Sequence, residues 1–168
     1  DVIQHWVHIR QKMCQWPLLV EQFPGLPVQD QLRHAGPLGA LALSDDIRIQ
    51  SAAARDWVQR KTFKPRESLS PSEGYHHHRL RIGYLSSDFC RHAMSYLIAE
   101  LFEQHDREQF EVFGYCSSPD DGSEIRARII RSFDQFRSIR QLPDEQAARA
   151  IRADEIDILV DLNGLTSG

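Results

Sequence analysis

Two short polar loops carry the side chains best suited to chemistry. The first, at residues 86–92, has the sequence SSDFCRH, and the second, at residues 163–168, has the sequence NGLTSG. Each follows an apolar run typical of a buried strand, at residues 80–86 and 156–162. In an open parallel sheet, loops in this position lie beyond the carboxyl ends of the strands, where such sheets bind ligands. The hydroxyl, amide and carboxyl groups of the two loops therefore predict a site for a polar ligand.

His92 is the side chain of these loops that best fits acid–base catalysis. It stands where the first loop meets the start of a predicted helix, and the helix dipole there favours a neutral ring that can accept a proton. Such a base is needed when a hydroxyl group attacks an electrophile. The alternative interpretation is a helix cap or a supporting residue, and spacing alone does not choose between the two.

Several other titratable residues carry competing interpretations. Asp88 can orient His92 or bind a substrate hydroxyl, but we favour hydrogen bonds from its side chain to backbone amides of its own loop, the commoner role of Asp after a strand. Asp161 lies near the carboxyl end of the last strand, whereas Asp157 marks its exposed start. The histidine run at residues 76–78 has no acidic or cysteine partner in its polar surroundings, so we predict a solvated loop and no metal site.

Composition excludes several classes of function. The net charge of −4 gives no basic surface for a nucleic acid, and no apolar run approaches the roughly 20 residues of a membrane helix. Neither loop contains a GxGxxG or Walker motif, so the sequence does not indicate NAD or a P-loop nucleotide. The cysteines at positions 14, 90 and 116 form no CxxC pair, and free thiols in the cytoplasm are the simplest interpretation.

The second half of the chain alternates strands and helices, which predicts an α/β fold with a parallel sheet. The predicted strands lie at residues 80–86, 110–116, 136–139 and 156–162, and the predicted helices at residues 93–104, 124–133 and 143–153. Ser123 is the expected cap of the second of these helices. On the first helix we expect Met94, Leu97, Ile98 and Leu101 to form the inward face.

The first half predicts a small helical segment. A helix is expected over residues 1–15, and a second from Asp46 to about Lys61, after the helix-starting run at residues 44–46. Because residues 17–43 are rich in proline and glycine, we predict mostly loop there, with a short helix at residues 28–34.

Three ordered blocks resemble the catalytic region of O-linked N-acetylglucosamine transferases and the related Spindly proteins. They are RLRIGYLSSDFCRHAMSYL at residues 79–97, FEVFGYCSSPDDGSEIR at residues 110–126 and ADEIDILVDLNGLTSG at residues 153–168. The resemblance divides the chain into a helical segment (1–62) that follows the family's tetratricopeptide repeats, a polar linker (63–78) and part of a catalytic lobe (79–168). Arg91 departs from the small polar residue of animal relatives, and Asp157 stands where some relatives have His.

The resemblance implies the Rossmann-like N-terminal lobe of a GT-B glycosyltransferase. Such enzymes move N-acetylglucosamine from the donor UDP-GlcNAc to Ser or Thr of a protein or peptide acceptor, with inversion and without a cofactor or essential metal. His92 then corresponds to the family's S-D-F-x-x-H histidine, proposed as the base or as a close neighbour of the donor. Gly164 and Thr166 line the same cleft, and with Asp88 and Asn163 they are the candidate substrate-binding residues.

Two alternatives stay open. Spindly-type relatives use GDP-fucose for protein O-fucosylation, and nothing in these residues selects the donor. The chain can also be a non-catalytic module that joins a helical repeat array to a second lobe. Because most of the family's nucleotide pocket belongs to that second lobe, we expect the chain to be part of a longer protein and inactive by itself.

Overall fold

The chain forms two compact units, at residues 1–66 and at residues 67–168. The computed structural model describes residues 2–19, 25–61, 69, 71 and 73–164. The predicted linker lies partly outside the described residues, and the boundaries of the three predicted segments stay a prediction. In the part of the chain that the structure describes, no helix is both long enough and apolar enough to cross a membrane.

The first unit is helical. Its described helices are α1 (Val2–Lys12), α2 (Val28–His34), α3 (Gly36–Leu43) and α4 (Ile47–Lys61). Helix α2 matches the predicted short helix, and α4 begins where expected, with Asp46 Oδ1 accepting the Arg48 N–H at 2.9 Å. The prediction of loop was wrong for α3, since Gly36 takes a φ of +79° and Pro37 falls in the first turn. Both residues here start a helix, because proline is tolerated in a first turn and glycine adopts the left-handed angle.

The second unit is a four-stranded parallel sheet with helices on both faces. Its elements are β1 (Leu80–Ser86), α5 (Ala93–Glu103), β2 (Phe110–Cys116), α6 (Glu124–Ser132), β3 (Gln135–Ser138), α7 (Asp144–Ala153) and β4 (Ile158–Asp161). The strand order is β3-β2-β1-β4, and every neighbouring pair is parallel. The α/β fold class is confirmed. Strand β4 is shorter than the predicted run of residues 156–162. Only residues 158–161 pair with β1, and residues 156, 157 and 162 lie outside this ladder.

The two faces of the sheet have separate apolar cores, as the alternation of side chains along a strand requires. Ile82 and Tyr84 of β1 pack with residues of α5 and α6. Phe113 and Tyr115 of β2 pack instead with Ala147 and Ile151 of α7. Helices α5 and α6 therefore cover one face of the sheet, and α7 covers the other.

The inward face of α5 differs from the predicted one. The buried positions are Ser95, Ala99 and Phe102, and Met94 and Ile98 are only partly buried. The predicted core residues Leu97 and Leu101 are exposed, to 85% and 50%. The prediction was wrong because it grouped the large apolar side chains of the first turns, whereas the buried positions follow the spacing Ser95, Ala99 and Phe102.

Gly114 is required by a close approach inside the core. A Cβ atom at this position of β2 would lie 2.5 Å from two ring carbons of Phe133. Real Cβ atoms do not come this close, so any larger residue would displace the ring. The glycine of the FEVFGYC block is therefore explained by packing within the lobe.

The pH dependence of stability is expected to include a contribution from His105. Burial lowers the pKa of its ring below the ordinary value of 6.5, the nearby Arg107 charge adds to this, and Asp134 opposes it. Because the unfolded chain then binds a proton more readily than the folded chain, the free energy of unfolding should fall as the pH drops below about 6.5 and towards the folded-state pKa. Urea unfolding of wild type and His105→Gln across this range checks the prediction.

The matched control is His78→Gln, at an exposed position. Neutral His105 is also hydrogen-bonded, with 2.8 Å between its Nε2 and the Tyr84 hydroxyl. His105→Gln should reduce the loss of stability between pH 6.5 and 5, and His78→Gln should leave it unchanged. An identical pH dependence in all three proteins would contradict the prediction.

Candidate functional site

The candidate site lies at the carboxyl edge of the sheet, between β1 and β4. The chain leaves β1 through α5 on one face and reaches β4 through α7 on the other face. Neighbouring strands whose connections run in opposite directions form a topological switch point, and a crevice opens between their loops. The two polar loops of the sequence therefore meet at the place where α/β sheets ordinarily bind ligands.

Asn163 joins the two loops. Its Oδ1 accepts the backbone N–H of Ser87 at 2.7 Å, and its Nδ2 donates to the Ser87 hydroxyl at 2.6 Å. The same Nδ2 lies 3.4 Å from Oδ2 of Asp88. One amide side chain after β4 thus holds both the backbone and the side chains of the loop after β1. Direct contact between Asn163 and a substrate stays a prediction.

Asp88 is held by the loop in which it lies, but not as we expected, because among the described residues its carboxylate accepts a hydroxyl and a side-chain amide and no backbone N–H. Its backbone N–H donates to the Ser86 hydroxyl at 3.0 Å, and its Oδ1 accepts the Ser87 hydroxyl at 3.2 Å. Its carbonyl accepts a short hydrogen bond from the buried Ser95 hydroxyl of α5. The carboxylate is 28% exposed and has Oδ2 directed towards His92. It is therefore fixed in position while one oxygen stays accessible to a partner.

His92 is the N-cap of α5 and is half exposed. Its backbone is extended, with φ −135° and ψ 149°, and its Nδ1 accepts the backbone N–H of Met94 at 3.3 Å. The same Nδ1 is 3.8 Å from Oδ2 of Asp88, and the side chain is 51% exposed. The capping role left open by the sequence is therefore present. It does not exclude catalysis, because Nε2 takes no part in the capping contact.

The two partners of Nδ1 favour different tautomers of the neutral ring. Accepting from Met94 requires a free lone pair on Nδ1, which puts the proton on Nε2 and makes Nε2 a donor. Donating to Asp88 requires the proton on Nδ1, which leaves Nε2 as an acceptor and a possible base. Exchange of one state for the other needs a proton transfer through solvent together with a turn of the ring that shortens the 3.8 Å distance to Asp88.

Two further contacts fix the loop before His92. The Phe89 side chain is completely buried and packs edge-on against Phe102, with 5.8 Å between the ring centroids. The Arg91 N–H donates to Oδ2 of Asp121 at 2.7 Å. This bond and the Ser123 hydroxyl lower the pKa of Asp121 to about 2, so its carboxylate is charged at neutral pH. The loop after β2 thus supports the loop after β1 from the side opposite β4.

Gly164 ends the described part of the second loop. It is exposed and has a φ of +56°, and a Cβ atom there would meet no atom of the described residues within 4 Å. Thr166 lies outside the described residues, so its predicted role in substrate binding stays a prediction.

A groove of about 600 Å³ begins beside Asn163 and runs along the α7 face of the sheet. Ser87, Asp161 and Asn163 line it at the carboxyl edge, and Leu85, Ile151 and Leu159 are among its apolar residues. The groove therefore presents polar groups of both loops at the carboxyl edge of the sheet.

The remaining titratable candidates lie away from this crevice. Asp157 is at the amino end of β4, where its Oδ2 accepts the Arg81 N–H at 2.9 Å. The prediction of a solvated loop was wrong for His77, because its side chain is only 16% exposed and Nε2 lies 3.1 Å from the Glu155 carbonyl oxygen. Among the residues that the structure describes, no three His, Cys, Asp or Glu side chains gather as metal ligands.

Three supporting residues were missed in the sequence: Ser87, Ser95 and Asp121. Ser87 belongs to the polar loop singled out in the sequence, but its bond to Asn163 could not be predicted because the partner is 76 positions away, and Ser95 gave no signal. Asp121 did give one, because the PDDG turn follows β2 directly and adjacent parallel strands bring their following loops together.

Comparisons with known proteins place these loops in a family context. The sequence model described as glycosyl transferase family 41 matches residues 52–168. A probable UDP-N-acetylglucosamine–peptide N-acetylglucosaminyltransferase SEC from Arabidopsis thaliana is 43% identical over 90 residues, which are 54% of this chain and 9% of that protein. A probable enzyme of the same description named SPINDLY, from Solanum lycopersicum, is 27% identical over 152 residues, 84% of this chain and 16% of the relative.

A solved structure agrees with these matches. A mutant of the Thermobaculum terrenum O-GlcNAc transferase superposes with a TM-score of 0.59 at 27% identity, covering 81% of this chain and 31% of that chain. The chain thus spans less than a fifth of these two curated relatives and about a third of the solved one. Both polar loops of the second unit fall inside the matched family region.

Proposed function

Because the chain belongs to glycosyl transferase family 41, we propose that it forms one wall of the catalytic cleft of a protein O-N-acetylglucosaminyltransferase. The donor is UDP-GlcNAc, and the acceptor is a Ser or Thr hydroxyl of a protein or peptide. The observation that carries the proposal is the junction of the two polar loops through Asn163, with His92 half exposed beside it. Relatives named for this transfer support the choice of donor and acceptor.

The reaction we propose is a single displacement at the anomeric carbon. The acceptor oxygen forms a bond to this carbon, the bond to the diphosphate breaks, and its electron pair leaves with UDP. The hydroxyl proton passes to Nε2 of His92, directly or through a water molecule. Attack from the face opposite the leaving group inverts the configuration.

Asp88 gives His92 the tautomer that this step needs. Nε2 accepts a proton only when the neutral ring carries its hydrogen on Nδ1. For this the ring turns away from the Met94 N–H, and Oδ2 of Asp88, now 3.8 Å from Nδ1, comes within hydrogen-bond distance and accepts that hydrogen. The carboxylate then stabilises the imidazolium that forms. Asn163, in the loop after β4, holds the loop that carries Asp88. It therefore acts on His92, the proton acceptor, through Asp88.

The donor diphosphate is held mainly by parts of the enzyme outside this chain. The groups at the crevice are hydroxyls, amides and carboxylates, which suit a sugar or an acceptor peptide better than a diphosphate. We place the substrate contacts at Asp88, Asn163, Gly164 and Thr166. No metal ion takes part, and the cytoplasm, where free thiols such as Cys90 persist, is the compartment we propose.

Mass spectrometry of an acceptor peptide mixture tests the proposal. The full natural protein that contains this chain is incubated with UDP-GlcNAc or with GDP-fucose, each with and without EDTA. We expect N-acetylhexosamine on Ser or Thr, undiminished by EDTA. A peptide that carries only deoxyhexose would show that the donor is GDP-fucose. A peptide left unmodified with either donor would favour the non-catalytic module.

A further inference from the structure

Arg126 is a buried cation in the first turn of α6. Its side chain is 7% exposed, although arginine is rarely buried without a partner. Its carboxylate neighbour is Asp120, with 3.1 Å between Nε and Oδ1, but Asp120 is 77% exposed. The angle at Nε does not suit a hydrogen bond, so this contact is an ion pair at the protein surface.

The inner end of the guanidinium reaches the loop that carries His92. Its NH1 donates to the carbonyl oxygen of Phe89 at 2.7 Å and to the Ser118 hydroxyl at 3.1 Å. The same nitrogen lies 3.4 Å from Sγ of the buried Cys116. One side chain therefore joins the loop after β1, the end of β2 and the turn before α6.

The cost of burying this charge argues for a role beyond packing. A buried charge is often no more stabilising than an apolar side chain of the same volume. The guanidinium carbon lies 5.6 Å from the ring centroid of Phe136, so an apolar neighbour is already present beside it. What an apolar side chain cannot do is hold the Phe89 carbonyl, three residues before His92.

We propose that Arg126 is a positioning residue that fixes residues 86–92 and thereby sets the orientation of the His92 ring. The rigid guanidinium is needed, because its planar group holds NH1 among all three anchored groups, whereas a lysine ammonium on a flexible stem fixes that position less well. Arg126 touches no substrate. Its effect on catalysis rests on the proposed function, but its effect on the loop does not.

NMR of the 168-residue chain tests the positioning role without any activity. Arg126→Lys and Arg126→Met are compared with wild type by the ring ¹⁵N shifts of His92, which report its tautomer, and by amide exchange of residues 87–92. We expect altered His92 shifts and about 10-fold or faster exchange in the loop for both variants. The matched control is Arg128→Met on the same helix, since Arg128 pairs with Glu103 at 2.7 Å and is 44% exposed.

Unchanged His92 shifts and loop exchange in both Arg126 variants would overturn the proposal. So would equal changes in Arg128→Met, since these would reflect a general loosening of α6. In the full natural protein, Arg126→Lys should lower kcat about 10- to 100-fold, as loss of a supporting contact does, with little change in the donor KM. If the wild type transfers no sugar, the proposed function fails, while the NMR result still decides the role of Arg126.

Discussion

Replacing His92 with alanine is expected to lower the rate of sugar transfer by roughly 100-fold or more, the usual scale of a general base. The expectation rests on a half-exposed ring at the switch-point crevice with Asp88 Oδ2 3.8 Å from Nδ1. The full natural protein is assayed with UDP-GlcNAc and an acceptor peptide at saturating donor. The control is His78→Ala, which removes an exposed histidine outside the crevice.

Alanine also removes the N-cap of α5, so a second variant must separate capping from catalysis. Loss of a cap costs about 0.5–2 kcal/mol of stability. Asparagine is among the best capping residues but is not a base at neutral pH. His92→Asn should therefore recover the stability lost in His92→Ala without recovering the activity. Wild-type activity in His92→Asn would show that the histidine serves only as a cap.

The second large effect is expected at Phe89, where burial rather than polarity anchors the site loop. The ring is fully buried among Phe102, Phe133 and Phe136. Phe89→Ala should reduce the free energy of unfolding by about 3–5 kcal/mol, through lost burial and the cavity left behind. Urea denaturation followed by far-UV circular dichroism measures it.

Two further variants keep this result interpretable. If Phe89→Ala does not fold, Phe89→Leu keeps part of the apolar volume and should lose less stability. Leu97→Ala, on the exposed face of α5, should change stability by no more than about 0.5 kcal/mol. A loss at Phe89 as small as that at Leu97 would mean that the loop is not anchored in the core.

Much of the second unit could be predicted from local pattern alone. The bounds of β1 and β2 match the prediction at both ends, because short apolar runs there are enclosed by turn residues. The Ser123 cap is present as predicted, with its hydroxyl accepting the Arg126 N–H at 3.3 Å. Strand alternation with helices also predicted the parallel sheet, and with it the edge at which both loops lie.

The features that could not be predicted depend on contacts between distant segments. Leu97 was assigned to the core because it is large and apolar, but Ser95 and Ala99 are buried where α5 lies against the sheet. Arg126 looks like an ordinary surface arginine until its NH1 is seen to donate to the Phe89 carbonyl, 37 positions away. Likewise, Asn163 was predicted to bind substrate, and its bonds to the other loop emerge only when β1 and β4 are adjacent.

A crystal structure of the full natural protein with an unreactive donor analogue and an acceptor peptide would show whether the junction of the two loops faces the reacting groups. We expect the acceptor hydroxyl at about 2.6–3.2 Å from Nε2 of His92, or linked to it through one water molecule. We also expect the sugar beside Asn163 and Gly164. If both ligands bind elsewhere and Nε2 of His92 donates to solvent, the junction is not the site of sugar transfer.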